Sequence, residues 1–227
     1  MKERLRLVDS LRGFALLIMF GYHFAFDLDL FGVVHIAFGD SFWTAYRWVI
    51  LLLFLGLAGI GIGLAERRAP TARHLARLAT GALAISIGTR VLFPDAWVAF
   101  GILHFIFAAN LLVPPLSRSP EWCAVAASVS FALPVFVRTP VFDAGLLRVL
   151  GLGTVSSRAV DFVPLFPWLG VVFLGAALGA GLPREAPWLR GGSPRLAALG
   201  RHSLLLYVTH QSVFLPLAWA VAKLVVP

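Results

Sequence analysis

Apolar runs of 16 to 24 residues recur from one end of this chain to the other. Each is long enough to cross much of a bilayer core of about 30 Å as a helix, and barrel strands would give short alternating segments instead. The runs therefore set the fold class: all-α, a polytopic helical membrane protein. Seven transmembrane helices are expected, at roughly 9–31, 44–65, 78–93, 98–116, 122–137, 165–182 and 203–225. A composition of 59% hydrophobic and 13% charged residues fits no soluble globular class. The fifth run is short and holds Pro134, which predicts a kink. The first run is too long for a signal peptide, carries His23 and Asp27, and lacks a small-x-small cleavage site after it. It reads as a retained span, and the whole of 1–227 reads as one transmembrane domain.

Charge supplies the orientation. The formal net charge is +8, yet the basic residues sit in short loops between runs. That pattern serves topology, so no nucleic-acid partner is implied. With the N-terminus cytoplasmic, the inner segments hold Lys2, Arg4, Arg6 and Arg12, then Arg67, Arg68, Arg73 and Arg77, then Arg118, and last Arg184, Arg190, Arg195 and Arg201. These are 13 of the 19 Lys and Arg residues. An inner (cytoplasmic) membrane location follows as the expectation. The lone cysteine, Cys123, excludes an internal disulfide, and no metal-ligand spacing, phosphate-binding loop or nucleophile elbow is present.

The loops and helix faces carry further expectations. The outer connection 32–43 contains His35, Asp40 and Trp43, and 138–164 is the longest connection. Residues Leu146 to Leu152 there would lie as a short interfacial helix. Trp43, Trp48, Trp97 and Trp168 fall near outer ends, as an aromatic belt would. Two GxxxG pairs, Gly59/Gly63 and Gly175/Gly179, let backbones approach closely, within the chain or between copies in a homo-oligomer.

Ionisable residues inside a span are expensive and need a partner or a task. His23 and Asp27 are four apart and share a helix face. A carboxylate near an imidazole fixes its tautomer, which suits a general base acting on an amine or hydroxyl. His104 is expected at similar depth, as a substrate contact or second acid/base, and His210 nearer mid-membrane, lining the same cavity or packing. Arg90 and Asp161 read as a structural ion pair or a sugar-binding pair. His35, in a loop, is a weaker catalytic candidate. His74 reads as a solvated loop residue. On the inner side Asp9 and Arg12 are three apart and would pair, with Arg67, Arg68, Arg201 and His202 at the same level, a cationic cluster able to hold phosphates. Along a helix, Asp9 and His23 lie roughly 21 Å apart. An inner cationic site and an outer His/Asp site suit moving a group, or a proton, across the membrane. A small proton-coupled transporter and a non-catalytic membrane subunit are the competing readings.

Four stretches carry a resemblance: RLRLVDSLRGFALLIMFGYHFAFDL (4–28), FGILHF (100–105), DFVPLFPWLGVVFLGAALG (161–179) and LGRHSLLLYVTHQSVF (199–214). The chain resembles the heparan-alpha-glucosaminide N-acetyltransferase catalytic-domain family, in its short bacterial branch. The first stretch is also similar to the opening of the wider acyltransferase-3 superfamily, with Asp9, Leu11, Arg12 and His23 in its pattern places. The resemblance implies that acyl-CoA, acetyl-CoA above all, binds from the cytoplasm and acylates an extracytoplasmic glycan or amino-sugar acceptor. It implies His23 as catalytic histidine and Arg12 with its neighbours at the nucleotide end. Two departures limit the transfer of roles. Longer members have more spans, and their essential histidine lies in the first outer loop, where this chain offers His35.

Overall fold

All seven apolar runs fold as helix. The structure is a computed structural model that describes residues 5–65, 69–117, 119–155 and 161–225, and among these there is no strand. The helices are α1 (Arg6–Leu30), α2 (Ser41–Leu64), α3 (Ala72–Leu92), α4 (Ile102–Leu116), α5 (Pro120–Phe136), α6 (Leu169–Gly181), α7 (Pro194–Arg201), α8 (Ser203–Thr209) and α9 (Gln211–Val225). Among the described residues, four stretches are long and apolar enough to cross a membrane: α1, α2, α3 and the α8–α9 pair, Ser203–Val225. The apolar helices α4, α5 and α6 have 15, 17 and 13 residues. At 1.5 Å per residue they reach roughly 20–26 Å, short of the hydrocarbon core by themselves.

Capping chemistry moves several boundaries. Thr71 accepts a hydrogen bond from the His74 N–H at 3.2 Å, so α3 starts six residues before the apolar run. Arg73, His74 and Arg77 therefore lie in the helix and not in a loop. Ser119 and Ser193 cap α5 and α7 in the same way, each followed by a proline at the first helical position. The segment read as an inner loop, 183–202, thus contains a helix of its own.

The chain divides into two compact units, and the boundary falls inside α2. The first comprises Met1–Phe54 with Pro183–Pro227. Here α1 is the central element, with α7, α8, α9 and the turn Pro187–Arg190 packed on it. Ala15, Leu16 and Met19 are its buried stripe. The α1–α7 crossing is very close. A Cβ on Gly13 would sit 2.0 Å from the Leu196 carbonyl oxygen, and one on Gly200 1.8 Å from that of Asp9. Only glycine allows this approach.

The second unit comprises Leu55–Leu182. In it α3 packs on α4, and α5 and α4 on α6, around Phe105, Val113, Val163 and Val172. The two GxxxG pairs meet each other. Cβ atoms on Gly59 and Gly63 would strike the carbonyl oxygens of Val172 and Ala176, both at 2.2 Å, and those on Gly175 and Gly179 would strike Gly56 and Ile60. Both faces are thus used inside the chain. The long connection forms two short 3-10 turns, Pro140–Asp143 and Gly145–Leu150. The second stands where the interfacial helix was expected, with Leu146 89% exposed.

Candidate active site

Three polar side chains of the first unit meet on the outer half of α1: His23, Asp27 and His210. The His23 and His210 rings lie 4.9 Å apart, edge to face. His210 lies at the junction of α8 and α9, with helical backbone, and Gln211 follows it. The Gln211 amide donates to Asp27 Oδ1 at 3.1 Å, joining residues 184 apart in sequence. Asp27 is fully buried and lies within electrostatic reach of His23.

Hydrogen bonding fixes both tautomers. His23 Nδ1 is 3.0 Å from the Met19 carbonyl oxygen, one turn back on α1. His210 Nδ1 is 2.6 Å from the Tyr207 carbonyl oxygen. A carbonyl only accepts, so each Nδ1 carries its proton and each Nε2 keeps a lone pair. Among the described residues, three buried side-chain polar atoms lack a partner: Asp27 Oδ2, His210 Nε2 and Gln211 Oε1. All three belong to this cluster, and all three are acceptors as placed. A second proton on the pair would set two imidazolium rings 4.9 Å apart. Their repulsion is roughly 3 kcal/mol at an effective dielectric near 20, so the pair suits one proton better than two.

Aromatic rings wall the pair. Phe20 stacks on His210 at 5.6 Å, Phe214 meets it edge-on at 5.7 Å, and Tyr22 meets His23 at 5.9 Å. Tyr22 continues into a cluster with Phe38, Trp43 and Tyr46. His35 is exposed in the connection after α1. The backbone beside it is anchored by Asp29, whose Oδ1 accepts the Ile36 N–H at 2.8 Å.

The inner end of α1 holds the expected pair. Arg12 Nη1 donates to Asp9 Oδ1 at 3.2 Å, with Asp9 buried and the Arg12 side chain 30% exposed. Arg201 is exposed and follows Gly200, which abuts the Asp9 backbone. Ser10 donates to the Ser193 carbonyl at 3.0 Å, tying the start of α1 to the α7 cap. Arg67 lies outside the described residues.

The remaining candidates belong to the second unit. His104 Nδ1 accepts the Gly101 N–H at 3.2 Å, its Nε2 is 3.1 Å from Ser86 Oγ, and Ser86 donates to the Val98 carbonyl at 2.7 Å. Directionality runs one way along this chain, so Nε2 bears the proton and both ring nitrogens are spent. Asp161 lies against Gly101 and is coupled electrostatically to His104. Arg90 donates to the Pro94 carbonyl, four residues on.

Gln211 was missed by reading the sequence, although an amide inside an apolar run, next to a histidine, is itself a signal. The two tautomer-setting carbonyls, Met19 and Tyr207, leave no trace in sequence.

No curated protein and no solved structure matches the chain. The family model "Heparan-alpha-glucosaminide N-acetyltransferase, catalytic" matches residues 4–212, a span that takes in the Asp9–Arg12 pair, both rings of the histidine pair and Gln211. With most of its length so matched, this chain belongs to the heparan-alpha-glucosaminide N-acetyltransferase catalytic-domain family and is, in general type, a transmembrane acetyltransferase.

Proposed function

We propose that the chain, acting as one domain of the inner (cytoplasmic) membrane with its N-terminus inside, carries an acetyl group from cytoplasmic acetyl-CoA to an amine or hydroxyl of an extracytoplasmic sugar. The observation that carries this reading is His23. Its Nδ1–H is held by the Met19 carbonyl, which leaves a basic Nε2 in an aromatic-walled cluster with Asp27 and His210. His23 Nε2 takes the proton of the acceptor as its nitrogen or oxygen attacks the thioester carbonyl. The new C–N or C–O bond forms, the C–S bond breaks, and the CoA sulfur leaves as thiolate, which takes up a proton to become the thiol. No other reactant is needed. An acetyl-histidine intermediate at His23 fits the same balance in two steps.

The inner end of α1 suits the donor. Arg12 and Arg201 offer guanidinium groups for the phosphates, with Asp9 orienting Arg12. His210 is assigned to the acceptor side, and His35 to its entrance.

Incubating the purified protein with labelled acetyl-CoA and a panel of amino sugars tests this, reading both released CoA thiol and acetylated sugar. His23→Ala is expected to lose at least about 100-fold in transfer, the scale of a general base. Normal transfer by a folded His23→Ala variant would overturn the assignment. The His23, Asp27 and His210 cluster also suits the relay of a proton-coupled transporter. That reading requires solute flux into liposomes without any need for acetyl-CoA.

A further inference from the structure

The three partnerless acceptors raise a question that transfer chemistry does not answer. Asp27 Oδ2, Gln211 Oε1 and His210 Nε2 are buried together, beside a His23 Nε2 that also carries a lone pair. The only side-chain donor given to Asp27 by this cluster is the Gln211 amide. A buried acceptor left without a donor is costly. One added proton repairs much of this cluster, because it turns an acceptor into a donor and leaves the carboxylate balanced by a single positive charge.

We propose that Gln211 is a positioning residue: its amide pins the Asp27 carboxylate beside the His23–His210 pair, so that the four side chains hold one shared proton. Asp27 is the counter-charge, and the two Nε2 atoms are the alternative seats of the proton on the rings. The backbone carbonyls of Met19 and Tyr207 keep the Nδ1 atoms out of the exchange. Among the described residues, the titratable side chains in ring contact with the pair are tyrosines. These are Tyr22 on α1, Tyr207 on α8 and, behind Tyr22, Tyr46 on α2, whose hydroxyl is spent on the Ile18 carbonyl at 2.8 Å. From α7 the charges Arg195 and Arg201 belong to the inner end of α1, where Leu196 meets Gly13 and Gly200 meets Asp9. The use of this proton in transfer rests on the acetyltransferase reading, whereas its sharing does not.

The test is ¹⁵N-histidine NMR of the whole protein in detergent, titrated with pH, with His23→Gln and His210→Gln used for assignment. Both rings are expected as the Nδ1–H tautomer at high pH, and to respond together as the cluster takes up one proton. Gln211→Leu removes a hydrogen bond that favours the unprotonated cluster, so the uptake midpoint moves to higher pH. Gln211→Glu keeps the shape but adds a second carboxylate, and moves the midpoint further, by about one to three pH units. A packing role for Gln211 predicts lowered thermal stability with the midpoint unmoved in Gln211→Leu, the variant that adds no charge. An unmoved midpoint, or an Nε2–H tautomer on either ring at high pH, overturns the proposal. Absent acetyl transfer with shifted midpoints would instead overturn the enzymatic reading and leave the shared proton standing.

Discussion

His104 and the His23–His210 pair are all partly buried imidazoles in apolar surroundings, yet they differ in what their nitrogens have left to offer. His104 accepts from Gly101 at one nitrogen and donates to Ser86 at the other, and Ser86 passes the hydrogen bond to Val98. It ties the start of α4 to α3. His23 and His210 spend only Nδ1, each on a carbonyl of its own chain segment. Partial burial in apolar surroundings therefore does not mark a chemical histidine. Unspent valence does, and only hydrogen-bond partners reveal it.

The sharpest way to break the comparison is to delete one histidine of each kind. His23→Ala is expected to abolish acetyl transfer, by about 10²- to 10⁴-fold in kcat. His104→Ala is expected to lower Tm while transfer per folded molecule stays within a few-fold. Equal catalytic loss in both, measured on protein matched for folded fraction, would erase the distinction.

The second-largest effect concerns what holds the inner end of α1. Gly200→Val places side-chain atoms where the Asp9 carbonyl stands, at the 1.8 Å approach. The α7 helix cannot stay seated, and overpacking of this kind costs about 1–3 kcal/mol or more. Acetyl-CoA binding, followed by calorimetry, is expected to weaken at least tenfold. The NMR tautomer of His104 should not change. Unaltered binding would detach Arg12 and Arg201 from the donor.

Much of this arrangement was legible in the chain, for reasons that differ by residue. The apolar runs located every long apolar helix among the described residues, because a helix suited to lipid needs a long uniform stretch. The Asp9–Arg12 pair followed from spacing on one helix, and the GxxxG pairs announced a close crossing. That they cross each other was not readable, since small residues specify approach and not partner. The α7 helix was hidden in polar sequence, where its Ser-Pro cap was the available signal. Gly13 and Gly200, 187 positions apart, have no common pattern at all. The joining of Asp27 to Gln211 is of the same kind: local spacing placed Asp27 beside His23, while its partner comes from the far end of the chain.

A smaller effect sharpens the structural side of the comparison. Ser86→Ala leaves the His104 Nε2–H without its acceptor, and the Val98 carbonyl without its Ser86 donor. An unmet buried group costs about 1–3 kcal/mol, so Tm should fall by a few degrees. The pH profile of transfer is expected to keep its shape, because no proton of the reaction passes His104. A shifted profile would give His104 a chemical role after all.

The smallest effect belongs to a carboxylate that sits in water. Asp143, partly exposed, accepts the Thr154 hydroxyl at 2.6 Å and the N–H groups of Thr154 and Val155 at 2.7 and 3.0 Å, while Arg148 donates twice to its backbone carbonyl. The Thr154 hydroxyl above all, then the Val155 N–H, holds the Asp143 carboxyl below its ordinary value of 3.8. A lowered folded value means that the clip stabilises the loop fully above that ordinary value and loses its contribution as pH falls through the depressed one. Amide exchange at Thr154 and Val155, corrected for the intrinsic rate, should be flat from neutral pH down to about 4 and rise below it. Asp143→Asn should raise it at neutral pH by less than about tenfold, since water competes for every bond in the clip. Transfer should not change. Among the described residues, buried Asp27 accepts from one side chain, Gln211, and there the corresponding loss is expected to move the whole proton balance of the cluster. If Asp143→Asn altered transfer as strongly as Gln211→Leu, burial would not be what separates a structural carboxylate from a chemical one.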